Sequence, residues 1–106
     1  MAYLRCEGLP IEEGPYPCPR DLELEQAGWE VLRGLEECPT APARAGQADV
    51  RLHFGPEGPP EIRLLPAATD LDGPRLLSCV EGPLEALRTT LTPQDMVVSF
   101  RFRLVE

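Results

Sequence analysis

The sequence predicts an α+β domain in which two helices pack on one face of a three-stranded antiparallel sheet, in the order α-β-β-α-β. Three observations carry that prediction. Two segments, 21–38 and 74–88, repeat apolar residues at three- and four-residue steps. Three others, 49–54, 61–65 and 95–105, alternate apolar with polar residues. Each of these strands has one apolar face only, so a single helical layer is enough to cover the sheet.

Residues 1–20, "MAYLRCEGLPIEEGPYPCPR", hold four prolines and two cysteines and keep no period, which predicts an irregular arm ahead of a domain at 21–106. The first helix follows at "DLELEQAGWEVLRGLEEC". Asp21 is a good N-cap, and Glu23 and Glu25 suit the positive end of the helix dipole. Leu24, Ala27, Gly28, Val31, Leu35 and Cys38 form its apolar stripe, with Trp29 on the flank, and Pro39 stops it. After the connector "TAPARAGQA", the strand "DVRLHF" sets Val50, Leu52 and Phe54 against Arg51 and His53. The turn "GPEGPP" leads into "EIRLL", with Ile62 and Leu64 inward, so the pair reads as an antiparallel hairpin.

The second helix opens at Pro74, where a missing N–H costs nothing, and lines up Leu76, Cys79, Val80, Pro83, Leu84 and Leu87. Pro83 removes the bond to the Cys79 carbonyl and predicts a kink or a split at Gly82. The last strand, "DMVVSFRFRLV", turns Met96, Val98, Phe100, Phe102 and Leu104 one way and Val97, Ser99, Arg101 and Arg103 the other. A right-handed crossover to it would put residues 49–54 at the centre of the sheet.

Composition bounds the function. The chain has 106 residues, enough for one domain with a modest core, and 42% apolar content, as folded domains have. Its net charge of −8 argues against a general nucleic-acid binder, which needs a concentrated basic surface. All ten basic residues are arginine, a usage that suggests a GC-rich genome. No run approaches the roughly 18 apolar residues of a membrane span, and the N-terminus shows no signal-peptide core. Neither feature conflicts with the chain being the mature part of an exported protein.

The export reading comes from Cys6, Cys18, Cys38 and Cys79, an even set in a short chain, which favours two disulfides and an oxidising compartment. Their spacings do not fit a zinc site, and the single histidine, His53, lies in a strand. Three pairings are open. Cys6 and Cys18 bracket a loop of the arm that one bridge can close. Cys38 and Cys79 both lie on inward stripes of neighbouring helices, which favours a helix-to-helix staple over two buried thiols.

"GLEEC", "VRLHFGPEGPPEIRLLPAATDLDGPRLLSCVEGPLEALR" and "MVVSFRFRL" resemble the TonB C-terminal-like domains of bacterial envelope proteins, most closely the AgmX/PglI C-terminal type of myxobacteria. The resemblance covers residues 21–105. It rests on Cys38 in the first helix, strand 50–54, the restart "GPEGPPEI", the link "ATDLD", Cys79-Val80 in the second helix, and Phe100 and Phe102 in the last strand. It implies a non-catalytic, periplasmic protein-interaction module of a lipoprotein or of a transport, secretion or motility assembly. Such domains lend a sheet edge to an extended peptide, and an exposed edge on the long last strand would be a candidate docking site, with the identity of the free edge left open. A monomer and an edge-paired dimer are both open. A small secreted effector or inhibitor held by disulfides is the alternative.

No cofactor is expected and no catalytic set stands out. His53 has no second histidine or cysteine in register, "GPEG" lacks the helix and lysine of a phosphate loop, and Asp70 and Asp72 read as helix-start residues. Ser78 has no base to activate it. The outward sheet face collects Arg51, His53, Arg63, Ser99, Arg101 and Arg103, a basic surface for an acidic partner or an anionic envelope polymer, or else an ordinary solvated face. Residues 1–40 hold nine acidic groups against three arginines, and on the solvated-face reading the acidic arm partly covers the face.

Overall fold

The computed structural model describes residues 1–9, 18–39 and 45–104. Two helices lie on one face of an antiparallel sheet, as expected, but the sheet has four strands and not three. The elements run β1 (Ala2–Glu7), α1 (Leu22–Arg33), β2 (Gly46–Phe54), β3 (Glu61–Leu64), α2 (Gly73–Glu85) and β4 (Asp95–Leu104). Strand order across the sheet is β1-β4-β2-β3.

β1 comes from the segment read as an irregular arm. Its alternation is broken by a bulge between Tyr3 and Arg5, so Tyr3 and Cys6 meet Val98 and Met96 while Leu4 is left over and exposed. The rest of the expected arm, 10–17, and connector residues 40–44 lie outside the described residues. Because β1 is laid against β4, the last strand is an inner strand over Asp95–Ser99.

β2 and β4 pair over nine residues, from Gly46 with Leu104 to Phe54 with Met96. The even-numbered residues of both strands face the helices, and Ala48, Val50, Leu52, Phe54, Met96, Val98 and Phe100 are all buried. Leu24, Leu32 and Leu35 of the first helical segment and Leu76, Val80 and Leu84 of α2 close over them as one core. Gly28 is the point of closest approach: a Cβ there would stand 2.3 Å from Cζ of Phe100. Trp29 then packs edge-on to the same ring, with centroids 5.1 Å apart.

α1 starts where expected. Asp21 accepts from the Leu24 amide at 3.1 Å as N-cap, and its second oxygen takes the Thr89 hydroxyl and the Thr90 amide, both at 2.7 Å. One buried carboxylate thus fixes the helix start to the loop before β4. The α-helix gives way at Gly34 to a 3-10 turn, Gly34–Glu37, which carries Cys38 to α2. α2 is capped by Asp72 and runs through Pro83 to Glu85 without the expected split. Pro83 falls in the last turn and is exposed, so only one backbone bond is lost at an end that already frays.

Candidate functional site

The face of the sheet turned away from the helices is built from the odd-numbered residues of β2, β3 and β4. Register puts Gln47 opposite Arg103, Asp49 opposite Arg101, Arg51 opposite Ser99 and His53 opposite Val97. β3 adds Arg63 beside Arg51 and Glu61 beside His53, and β1 adds Arg5 beside Val97 and Glu7 beside Asp95. The register sets Arg51, Arg63, Ser99, Arg101 and Arg103 on one face of the sheet, the face that alternation in the sequence assigns them.

Two carboxylates that the sequence reading passed over organise this surface. Asp49 is fully buried although it belongs to the outer face. Ser99 donates its hydroxyl to Oδ1 at 2.7 Å, and Arg101 donates Nε and Nη2 to Oδ2 at 3.3 and 3.0 Å. Arg51 approaches Oδ1 with its Nε at 3.6 Å, an ion pair without a hydrogen bond. Held among these groups, the carboxylate is almost wholly removed from water. Ser99 is consequently a buried, bonded group and not a surface one.

Asp95 joins three strands at the other end of the face. Arg5 of β1 donates to Oδ2 at 2.6 Å, and Nε2 of His53 on β2 contacts Oδ1. The Arg5 bond, against a small desolvation effect and with help from His53, holds the Asp95 carboxyl below its ordinary 3.8. The Ser99 hydroxyl on the same face is bonded to Asp49 and not to His53. Arg63 pairs with Glu61 of its own strand. Arg103 contacts the Gln47 side chain through Nη2 at 3.5 Å.

These pairings change the electrostatics expected of the face. Five arginines meet four carboxylates, Glu7, Asp49, Glu61 and Asp95, so the whole surface is close to neutral. Charge is nevertheless uneven across it. Arg51, Arg63, Arg101 and Arg103 gather at one end against Asp49 and Glu61, a local excess of two positive charges. The remaining described residues hold eleven carboxylates and four arginines.

The sheet has four stretches of edge among the described residues, and they differ: the outer side of β1 is the first, and its run is broken by the bulge at Leu4. β3 is four residues long, with Pro60 immediately before it and Pro66 two residues after, a guarded edge. Beyond β3 the chain 65–71 continues along β2: Leu65 donates to the Asp49 carbonyl at 3.0 Å, and Asp70 donates to Gln47 at 3.0 Å. The Asp70 carboxylate returns the bond from the Gln47 amide at 2.8 Å, and the Thr69 hydroxyl accepts from that of Asp49 at 3.1 Å. On the other side, β1 covers β4 only as far as Ser99. Among the described residues, no strand pairs with that side of β4 from Arg101 to Leu104.

All four cysteines are paired, Cys6 with Cys18 and Cys38 with Cys79, with Cα atoms 5.8 and 6.1 Å apart. The first bridge ties β1 to the residues leading into α1, and the second ties the two helical segments together. Two disulfides in so short a chain indicate an oxidising, exported environment. Among the described residues no helix is long and apolar enough to cross a membrane, and no group of His, Cys, Asp and Glu is arranged to hold a metal ion. Compared with protein-family models, with curated proteins and with solved structures, the chain matches none of them.

Proposed function

We propose that this chain is a non-catalytic interaction module of the bacterial cell envelope, working in the periplasm or outside the cell and recognising protein partners through the edge of its sheet. The observation that carries this reading is the half-lapped β4, whose residues 101–104 form backbone pairs with β2 but with no described strand on the other side. An unpaired edge of this kind is a template for an extended peptide. The two disulfides support the compartment, and the resemblance of residues 21–105 to TonB C-terminal-like and AgmX/PglI-type domains supports the class of assembly.

The test combines capture with a footprint. Oxidised protein is used to capture partners from envelope extract, and amide hydrogen exchange is then compared with and without the captured partner. The expected result is slowed exchange at residues 101–104 and in the facing part of β2. Protection confined to the helical layer, or a capture that is indifferent to blocking this edge, would remove the edge from the interaction.

A further inference from the structure

Building on that edge reading, we infer that the occupant of the 101–104 run is an extended acidic polypeptide segment, with carboxylates at alternate positions beside Arg101 and Arg103 and apolar side chains between them. Arg101 and Arg103 are both exposed and lie on the same face of the strand, two residues apart. Their side chains therefore repeat at roughly 6.6 Å, the repeat of alternate residues in any strand laid alongside. Phe102 and Leu104 point to the helical face and are half-buried at the end of the core, so the intervening residues of the occupant would meet apolar surface.

Charge selects the sign of the occupant. The 101–104 run borders the end of the sheet face where four arginines meet two carboxylates. Arg101 is already oriented by its two bonds to Asp49, so little side-chain freedom remains to be lost there. The rest of the described surface is strongly acidic and would repel the same segment.

Charge also rejects the simplest alternative, a second copy of this chain. Antiparallel self-pairing centred on this run that keeps both helical layers on one side sets Arg101 against Arg103, or one of the two arginines against its own copy. Like charges directly opposite destabilise a strand pair. An anionic polysaccharide could neutralise the arginines but has no peptide groups to offer the edge.

The experiment is an amide chemical-shift titration of the intact, oxidised protein with synthetic peptides of about eight residues, long enough to span the run at ~3.3 Å per residue. One peptide alternates glutamate with valine and its control alternates lysine with valine. The expected result is weak, salt-sensitive binding of the glutamate peptide with shifts centred on the backbone amides of 101–104, and none with the lysine peptide. Arg103→Glu, a change at an exposed residue whose contact to Gln47 is long at 3.5 Å, should weaken that binding about tenfold, by replacing cross-strand attraction with repulsion.

Equal binding of both peptides would overturn the acidic preference while leaving the edge reading intact. Dextran sulfate reproducing the same backbone shifts would reassign the site to anionic polymers. Concentration-dependent dimerisation that protects 101–104 would reassign it to a second copy. If neither peptide reaches these amides but a captured envelope protein protects them, the occupant's chemistry is wrong and the interaction module stands.

Discussion

Asp49 shows how one side chain decides what the outer face can do. It sits at a position with no solvent exposure and gathers Ser99, Arg101 and Arg51 around it. Without it Ser99 would hold a buried hydroxyl with no acceptor, and two adjacent arginines would face each other uncompensated. Truncation to alanine should therefore cost about 1–3 kcal/mol, most of it from the buried hydroxyl and the lost charge-assisted bonds. Both arginines keep solvent contact and can recover part of their hydration, which limits the cost. Urea unfolding of Asp49→Ala beside Asp49→Asn would measure it. Asparagine keeps an acceptor for Ser99 and should lose less. Equal stability of alanine and wild type would mean that the network orders the face without stabilising it. The residue was within reach of the sequence, because it shares odd parity with Arg51 and His53. What hid it is that the alternation of the strand 49–54 is carried by Val50 to Phe54, and its first residue is given no face by that pattern.

At the scale of elements, the cross-links do the work that packing does in larger domains. Cys38–Cys79 closes a separation of 41 residues and Cys6–Cys18 one of 12. Restricting the unfolded chain over loops of these lengths stabilises by about 4 and about 3 kcal/mol respectively, if the native geometry is relaxed. Small domains have about 5–15 kcal/mol in all, so the first bridge alone is a large share. The paired variant Cys38→Ala/Cys79→Ala should lose about 4 kcal/mol in urea unfolding, and Cys6→Ala/Cys18→Ala somewhat less. A different ranking would show that the bridges act through native contacts. The helix-to-helix bridge was legible because both cysteines fall on apolar stripes that must face one sheet. β1 was not, for two reasons. Its bulge at Leu4 breaks the two-residue period, and no β1 residue described is fully buried. Its place depends on ties that are distant in sequence. Tyr3 accepts from the Asp21 amide at 2.7 Å and donates to Glu25 at 2.9 Å, Arg5 pairs with Asp95, and Gln94 donates to the Glu7 carbonyl at 3.0 Å. β2 was likewise read three residues short, because Gly46 and Ala48 look like connector until a nine-residue register with β4 claims them.

For the molecule as a whole, these ties fix how stability responds to pH. The Arg20 bond holds Glu25 below its ordinary 4.5, against some desolvation and with help from the Tyr3 hydroxyl. Burial pushes the Asp21 carboxyl up, but the bonds from Thr89, Leu24 and Thr90 outweigh it and leave the group below its ordinary 3.8. Asp95 is depressed in the same direction. An unfolded chain therefore takes up protons at these sites at higher pH than the folded one. The stability they supply is complete above about pH 5 and is lost as pH falls through 4.5 and 3.8 toward the folded values. A competing effect runs the other way, since the net charge of −8 at pH 7 shrinks toward the isoelectric point near 4.6 and relieves self-repulsion. The two predict a Tm that is flat or slightly rising down to the isoelectric region and then falls. On the alkaline side, burial is the main cause that pushes Tyr3 up from 10.0 to about 12, with Glu25 adding to it and the Asp21 backbone bond opposing. Here the folded value is the higher one, so stability is intact below pH 10 and declines as pH rises toward 12. The chain has no lysine and its cysteines are all bridged, so tyrosines are the only side chains that titrate in that window. Thermal melts of wild type and Tyr3→Phe from pH 3 to pH 12 separate the limbs. The variant should start lower, for want of its bonds to α1, and should show a much shallower alkaline decline. An alkaline limb of unchanged depth in Tyr3→Phe would show that β1 is not docked through this hydroxyl.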